Sequence, residues 1–298
     1  MLMTTFKLIC FCIVINLTSV LVGQSNTDPI VMQIGTDTVR LSEFEYIYKK
    51  NLSIESVEQV SFEEYINMFK DYKLKILEAK RLGLDKTVNF RRELDVYKAI
   101  LDISKDNQEL SETEYKHLIH EYEEGILLFD ISNEKIWNKT NHDQKGLERY
   151  FIKNKAKYKL QDAQFKGYIA ECKNEATATK IKQLIKSTNP DSLISLIQSI
   201  YNKNEETVRI NHYFVKYGEN KHIDLAIFEQ KGFSPDSKYP FMSIEGKIIQ
   251  DYPENYKDIK GQITYDYQNY LDRQWIKELN KKYKIIIYHD IIKTVKED

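Results

Sequence analysis

A mainly helical α+β protein is what this sequence predicts, and three observations carry that reading. Apolar residues recur with helical spacing from about residue 42 to residue 158, whereas strand-type alternation is confined to short runs near the two chain ends and after residue 160. These are the 3.6 and 2.0 periods of helix and strand. The third is composition. The 298 residues hold 21 tyrosines and 13 phenylalanines beside only 10 glycines and 5 prolines, so long elements can form and bury a core.

The first 24 residues, MLMTTFKLICFCIVINLTSVLVGQ, place Lys7 before an apolar run from Leu8 to Val22 and a small residue, Gly23, before a cut. That is the build of a secretory signal peptide, and it predicts an exported protein. The alternatives are a retained anchor, for which Asn16, Thr18 and Ser19 make the run short, and a lipoprotein, for which Phe11 or Ile13 would have to be the small residue after the lipid-bearing cysteine. Removing this segment leaves Cys172 alone, so stability has to come from apolar burial and not from disulfides. The 44 basic and 45 acidic side chains give a formal charge of −1, which draws no nucleic acid. No second apolar run could cross a bilayer.

Residues 31–40 read as two short strands around a turn at Gly35 to Asp37, followed by a helix capped by Ser42 with Glu45 and carrying Phe44, Ile47 and Tyr48. A polar linker over 51–60 ends at a second box, Ser61 with Glu64. The helix behind it presents Phe62, Tyr65, Ile66, Phe69, Tyr72, Ile76 and Leu77 and stops at Gly83. A third helix spans about Lys86 to Ile103, with Phe90, Leu94, Tyr97 and Leu101. A fourth begins behind Ser111, boxed with Glu114, and holds Tyr115, Leu118, Ile119 and Tyr122. Gly125 to Trp137 predicts a helix that kinks or restarts near Ser132. Residues 143–158 form another, with Leu147, Tyr150 and Phe151.

The period then changes. Strands are expected at Gln164 to Glu171, Val208 to Tyr217 and Ile223 to Phe228, and helices at Glu175 to Lys186 and from Asn189-Pro190 to Tyr201, which makes a small α+β module. Residues 232–258 hold three of the five prolines and several turn residues. A long helix follows from about Ile259 to Lys281, and Ile285 to Tyr288 is a strand that needs a partner. Pairing with the hairpin at 31–40 supplies one. The helices at 61–82 and 259–281 are expected to be the longest, with Trp275 buried.

Catalytic signatures are missing: there is no Gly-rich phosphate loop, no CxxC and no G-x-S-x-G elbow. His117 and His120, beside Glu121, lack a third ligand at useful spacing, so two solvated histidines are expected and no metal. His142, His212, His222 and His289 are scattered. Cys172 reads as an inert thiol. Charges on the helices alternate in sign, as a solvated face does.

Several segments resemble a known family. IGTDTVRLSEFEYIYKKN, SFEEYINMFKDYKLKILEAKRLGLD and FRRELDVYKA are similar to the N-terminal region of SurA-type periplasmic chaperones with parvulin domains, especially the form common in Bacteroides-like bacteria. EYEEGILLFDISNEKIWNK, GLERYFIKNKAKY, FKGYIAECKN and DIKGQITYDYQNYLDRQWIKELNKKYKI continue the likeness over most of residues 31–288. The resemblance implies a core in which the N-terminal hairpin and helices are closed by the C-terminal helix and strand. It divides the chain into a signal peptide (1–24), an N-terminal helical chaperone region (25–160), a small α+β module (161–231) and a C-terminal segment (232–298). The chain departs from the family in one respect. Full-length relatives carry parvulin prolyl-isomerase domains before the segment matching EYEEGILLFD, and here Ile103 reaches it within about twenty residues, too few for a domain. The parvulin histidine strand is missing, with Phe165 and Lys166 where a histidine is wanted; residues 164–201 read as a worn relic of that fold.

The resemblance therefore implies a non-catalytic periplasmic chaperone that binds unfolded or nascent exported proteins, outer-membrane precursors among them, without cofactor or metal. Rigid amphipathic rings suit such binding. The candidates are Tyr46, Tyr65, Phe69, Tyr72, Tyr97 and Tyr122, and core packing is the alternative at each, above all at Phe69. A divergent prolyl isomerase and an envelope adaptor with one dedicated partner are the other two readings. Oligomeric state is not legible.

Overall fold

The computed structural model describes residues 28–52, 60–107, 110–231 and 237–296. Residues 1–24, expected to be a signal peptide, and most of the expected linker at 51–60 lie outside them. The described chain is mainly helical with two three-stranded sheets, and it divides into two compact units: the two chain ends form one, and Phe62–Tyr283 form the other.

In the chain-end unit, β1 (Ile30–Ile34) and β2 (Asp37–Arg40) form the expected hairpin, with Gly35 at φ 58° in the turn. β1 also pairs antiparallel with β6 (Ile285–Ile287), Met32 facing Ile287 and Ile34 facing Ile285. Gly35 N–H donates to Lys284 O at 2.9 Å and Tyr288 N–H to Val31 O at 2.9 Å, so the pairing continues past both ends of the strand. The chain-end pairing expected from the unpartnered IIIY run is therefore present. Val31, Met32, Ile34, Val39 and Phe44 are buried. Helix α1 (Leu41–Leu52) starts one residue before the expected cap. Ser42 is inside its first turn, where its N–H and Oγ–H donate to the Asp28 carboxylate at 3.0 and 2.6 Å. Asp28 thus serves the helix start, where an anion is favoured.

The helices of the larger unit are α2 (Phe62–Arg81), α3 (Val88–Asp106), α4 (Glu112–Ser132), α5 (Asn138–His142), α6 (Gln144–Asn154) and α9 (Lys260–Lys282). Their boundaries follow local chemistry. Gly83, at φ 78°, lies just past α2. The Thr87 hydroxyl accepts Phe90 N–H at the start of α3, and Ser111 and Glu114 bond reciprocally as a capping box at the start of α4. Gly125 does not break α4; the irregularity expected near Ser132 is a π-helical turn over Asn133–Trp137. Because α4 runs through its glycine it reaches 21 residues against 20 for α2, so α9, at 23, and α4 are the long helices, which corrects the expectation for 61–82.

α4 packs on α2 and α3, and α9 packs on α2 and α6. Trp275 is buried, with Lys75 Nζ 5.7 Å from its ring centroid and Lys75 paired to Asp272 at 2.7 Å. Tyr267 O–H donates to Asp143 at 2.9 Å, and Tyr158 O–H to Asp266 at 2.7 Å. Burial, reinforced by Asp143, pushes the Tyr267 phenol up to about 12, so both rings stay protonated donors that pin α9.

The second sheet has the order β4-β3-β5, all antiparallel, from β3 (Gln164–Cys172), β4 (Val208–Lys216) and β5 (Phe241–Ile249). α7 (Glu175–Ser187) and α8 (Pro190–Tyr201) begin at the Asn174 and Asn189 caps. Two differences from expectation stand out. Residues 223–228 are helical turns, not a strand, because the Asn220 side chain accepts the N–H groups of His222 and Ile223 and opens a turn that carries Ile223 into the core beside Phe165 and Ile169. The third strand is β5, inside the stretch 232–258 whose prolines and turn residues give no strand signal. Gly246 lies opposite Gly167, and a Cβ on it would come within 2.3 Å of Lys166 O and 2.6 Å of the Phe165 ring. The strands approach as they do because both positions are glycine.

Candidate functional site

α3 and α4 form an antiparallel hairpin whose inner seam is aromatic. Tyr97 and Tyr122 stack at 3.7 Å between centroids, Tyr115 O–H donates to Asp102 at 2.7 Å, and Lys105 pairs with Glu112 at 2.6 Å. Phe90 and Leu94 are buried. With that face turned inward, α3 presents a second apolar face to solvent. Val88, Val96, Ile100 and Ile103 are 58–80% exposed, at spacings that keep them along one side of the helix. Val88, Val96 and Ala99 share an open groove with Arg91, Arg92 and Asp95. Where α4 ends, Phe129 is 58% exposed and meets Trp137 edge-on at 5.4 Å.

The six rings singled out from sequence divide by burial. Tyr65 and Phe69 are in the core. Tyr46, Tyr72, Tyr97 and Tyr122 are half-buried: Tyr97 and Tyr122 cover one another, and Tyr72 O–H donates to Glu124 at 2.9 Å. The two most exposed apolar residues of these helices, Val88 and Ile103, are aliphatic, and Phe129 equals Val96 and Ile100 in exposure. The signal that could have found the aliphatic set is a second apolar arc on α3, which a search for rings passes over.

Glu124 is nearly inaccessible, and Lys73 Nζ lies 2.6 Å from both its oxygens. His120 Nε2 is 3.5 Å from the same carboxylate. A buried ion pair of this kind fixes how α2 meets α4 more than it adds stability. Glu78 is a second buried carboxylate on α2. Burial alone would raise its pKa, but hydrogen bonds from Arg81, Lys282 and Tyr283 hold it at about 2. Cys172 is fully buried, and desolvation pushes its thiol up to about 11, which leaves negligible thiolate at neutral pH. Among the described residues no helix is long and apolar enough to cross a membrane.

No protein-family model matches the chain, and no curated protein matches it. Among solved structures, it is similar to a chain from the work describing PEB4 and the periplasmic protein Cj1289 of Campylobacter jejuni as two structurally related SurA-like chaperones. The identity is 17% and the TM-score 0.33, with 87% of this chain and 98% of that chain covered.

Proposed function

We propose that this protein is a non-catalytic chaperone of the SurA type, which holds unfolded or partly folded exported chains, outer-membrane precursors in particular, by apolar surface. The observation that carries the reading is the outward face of α3. Four exposed aliphatic side chains lie on one side of a helix whose other face is already packed, with Arg92 standing between Val88 and Val96, and exposed apolar side chains gathered on one face mark a place where another chain can be met. Aliphatic contacts of this sort select no sequence, which suits a protein with many clients. Half-buried Tyr46, Tyr72, Tyr97 and Tyr122 can add ring surface where their partners yield, while Tyr65 and Phe69 support the helices from inside. The order of segments resembling SurA-type chaperones agrees with this reading, and an exported, periplasmic location, expected from the leader-like residues 1–24, is part of the proposal.

A urea-unfolded outer-membrane β-barrel protein diluted into buffer aggregates, and light scattering follows it. The protein is expected to suppress that scattering near equimolar ratio and to leave a proline-limited refolding reaction unaccelerated. No suppression would overturn the holding role; acceleration above an equal mass of an inert protein would establish isomerase activity instead.

A further inference from the structure

The formal charge of −1 conceals an uneven distribution. Many lysines of the larger unit stand beside carboxylates, as Lys105 does with Glu112 and Lys257 with Asp191. Where α6 packs on α9 the pattern breaks. A groove of about 360 Å³ lies between these two helices, and its lining holds four cations, Arg149, Lys153, Lys157 and Arg273, and no carboxylate. All four are exposed, and none is ion-paired among the described residues. The acidic side chains of the same helices are engaged elsewhere. Asp143, the cap of α6, accepts Gly146 N–H at 2.8 Å and the Tyr267 hydroxyl at 2.9 Å, Asp266 accepts the Tyr158 hydroxyl, and Asp272 pairs with Lys75. Glu148 lines a different cavity, over β3, and Glu278 stands five residues past Arg273, on another side of α9.

Local structure sets this concentration of charge. Arg149 and Lys153 are one turn apart on α6, and Lys157 follows in the 3₁₀ turn Lys155–Tyr158, so three cations recur at four-residue steps along one side. Arg273 comes from α9, one turn after Tyr270. Tyrosines back the groove: Tyr150 is 5.5 Å from Tyr267 and 5.6 Å from Tyr270, and Tyr267 stacks on Tyr270 at 6.3 Å. Gly146 admits this approach, because a Cβ on it would lie 2.4 Å from the Tyr267 hydroxyl oxygen. Beside the cations, Ile152 is 65% exposed and Tyr270 38%. Four cations that no protein carboxylate neutralises make a strong local positive field, and the arginine fork matches phosphate oxygens. A soluble phosphate would leave Ile152 and Tyr270 in water. A lipid surface would bury them, since basic side chains meet headgroup phosphates while aliphatic tips and tyrosine rings enter the boundary beneath.

We propose that the groove between α6 and α9 docks on the phosphate headgroups of an anionic lipid surface, with Arg149, Lys153, Lys157 and Arg273 on the phosphates and Ile152 and Tyr270 at the acyl boundary. The assignment stands apart from the holding role, since it concerns where the protein docks and not which chains it holds. The test is co-sedimentation of the mature protein, freed of residues 1–24, with vesicles of phosphatidylcholine alone or mixed in equal parts with phosphatidylglycerol. Binding to the mixed vesicles should be at least tenfold tighter and should weaken as salt is added. Arg149→Gln with Arg273→Gln, folded by circular dichroism, should weaken it at least tenfold. Lys180→Gln with Lys203→Gln removes the same charge from exposed positions on the α+β module and should change it less than twofold. Ile152→Ser should weaken it at least twofold. Equal binding to the two kinds of vesicle overturns the assignment, as does a loss under tenfold for the arginine pair, an equal loss for the lysine pair, or an unchanged affinity for Ile152→Ser. Displacement by glycerol phosphate at the same phosphate concentration also overturns it, and would make the groove a site for a soluble phosphate compound.

Discussion

Replacing Lys73 by methionine isolates the one fully desolvated ion pair between α2 and α4. Lys73 and Glu124 are 7% and 2% exposed, with Nζ 2.6 Å from both carboxylate oxygens. Methionine fills nearly the same volume, so the change removes charge and leaves packing in place. Glu124 would then keep the Tyr72 hydroxyl, 2.9 Å away, and His120 at 3.5 Å, too little for a buried carboxylate. Breaking such a pair from one side costs about 3–5 kcal/mol; with Tyr72 still donating, the lower end, about 3 kcal/mol, is expected. The double change Lys73→Met with Glu124→Leu removes both charges and should recover most of that loss. Urea unfolding of parent, two single variants and double variant measures the coupling directly. A loss below about 1 kcal/mol for Lys73→Met would refute the reasoning, because it would mean that water reaches the pair in the native state.

Three further outcomes follow from the packing. Glu78 has its pKa depressed from 4.5 to about 2 in the folded protein, so its stabilisation is complete above about pH 4.5 and is lost as the pH falls through 2. That shift corresponds to roughly 3 kcal/mol, reduced to about 2 by screening at the partly exposed Arg81 and Lys282, and Glu78→Gln should flatten the acid limb of a stability–pH profile. Gly246→Ala should cost about 3 kcal/mol or more, since its Cβ would meet the Lys166 carbonyl and the Phe165 ring on a paired strand; a thermal melt within 1 °C of the parent would show that the strands can separate freely. Trp275→Ala should cost about 3–5 kcal/mol, and a loss under about 1 kcal/mol in denaturant melts would show that α9 is only loosely docked.

What the sequence reveals of this protein depends on how far apart the interacting residues lie. The Ser111 box and the stop at Gly83 are local and legible. The chain-end sheet is legible for another reason: three consecutive isoleucines at 285–287 demand partners that only the N-terminal hairpin offers. Residues 223–228 mislead because I-D-L-A-I-F alternates like a strand while also placing Ile223 and Ile227 one helical turn apart, and the Asn220 cap decides between the two. β5 is hidden because its glycine has meaning only beside Gly167, a partner distant in sequence. The outward face of α3 is hidden for a similar reason. On α3 the set Phe90, Leu94 and Tyr97 and the set Val88, Val96, Ile100 and Ile103 are both apolar arcs, and spacing alone does not say which one α4 covers.

The proposed holding of unfolded chains by the aliphatic face of α3 can be tested directly. Val96, Ile100 and Ile103 changed together to serine remove that face while leaving the inner seam of Tyr97, Tyr122, Phe90 and Leu94 untouched. Light scattering of the unfolded β-barrel client should show the triple variant, folded by circular dichroism, at less than half the parent's suppression, because each lost side chain forfeits apolar area buried in the complex. Suppression equal to the parent's across the whole titration would contradict the claim that this face is where clients are held.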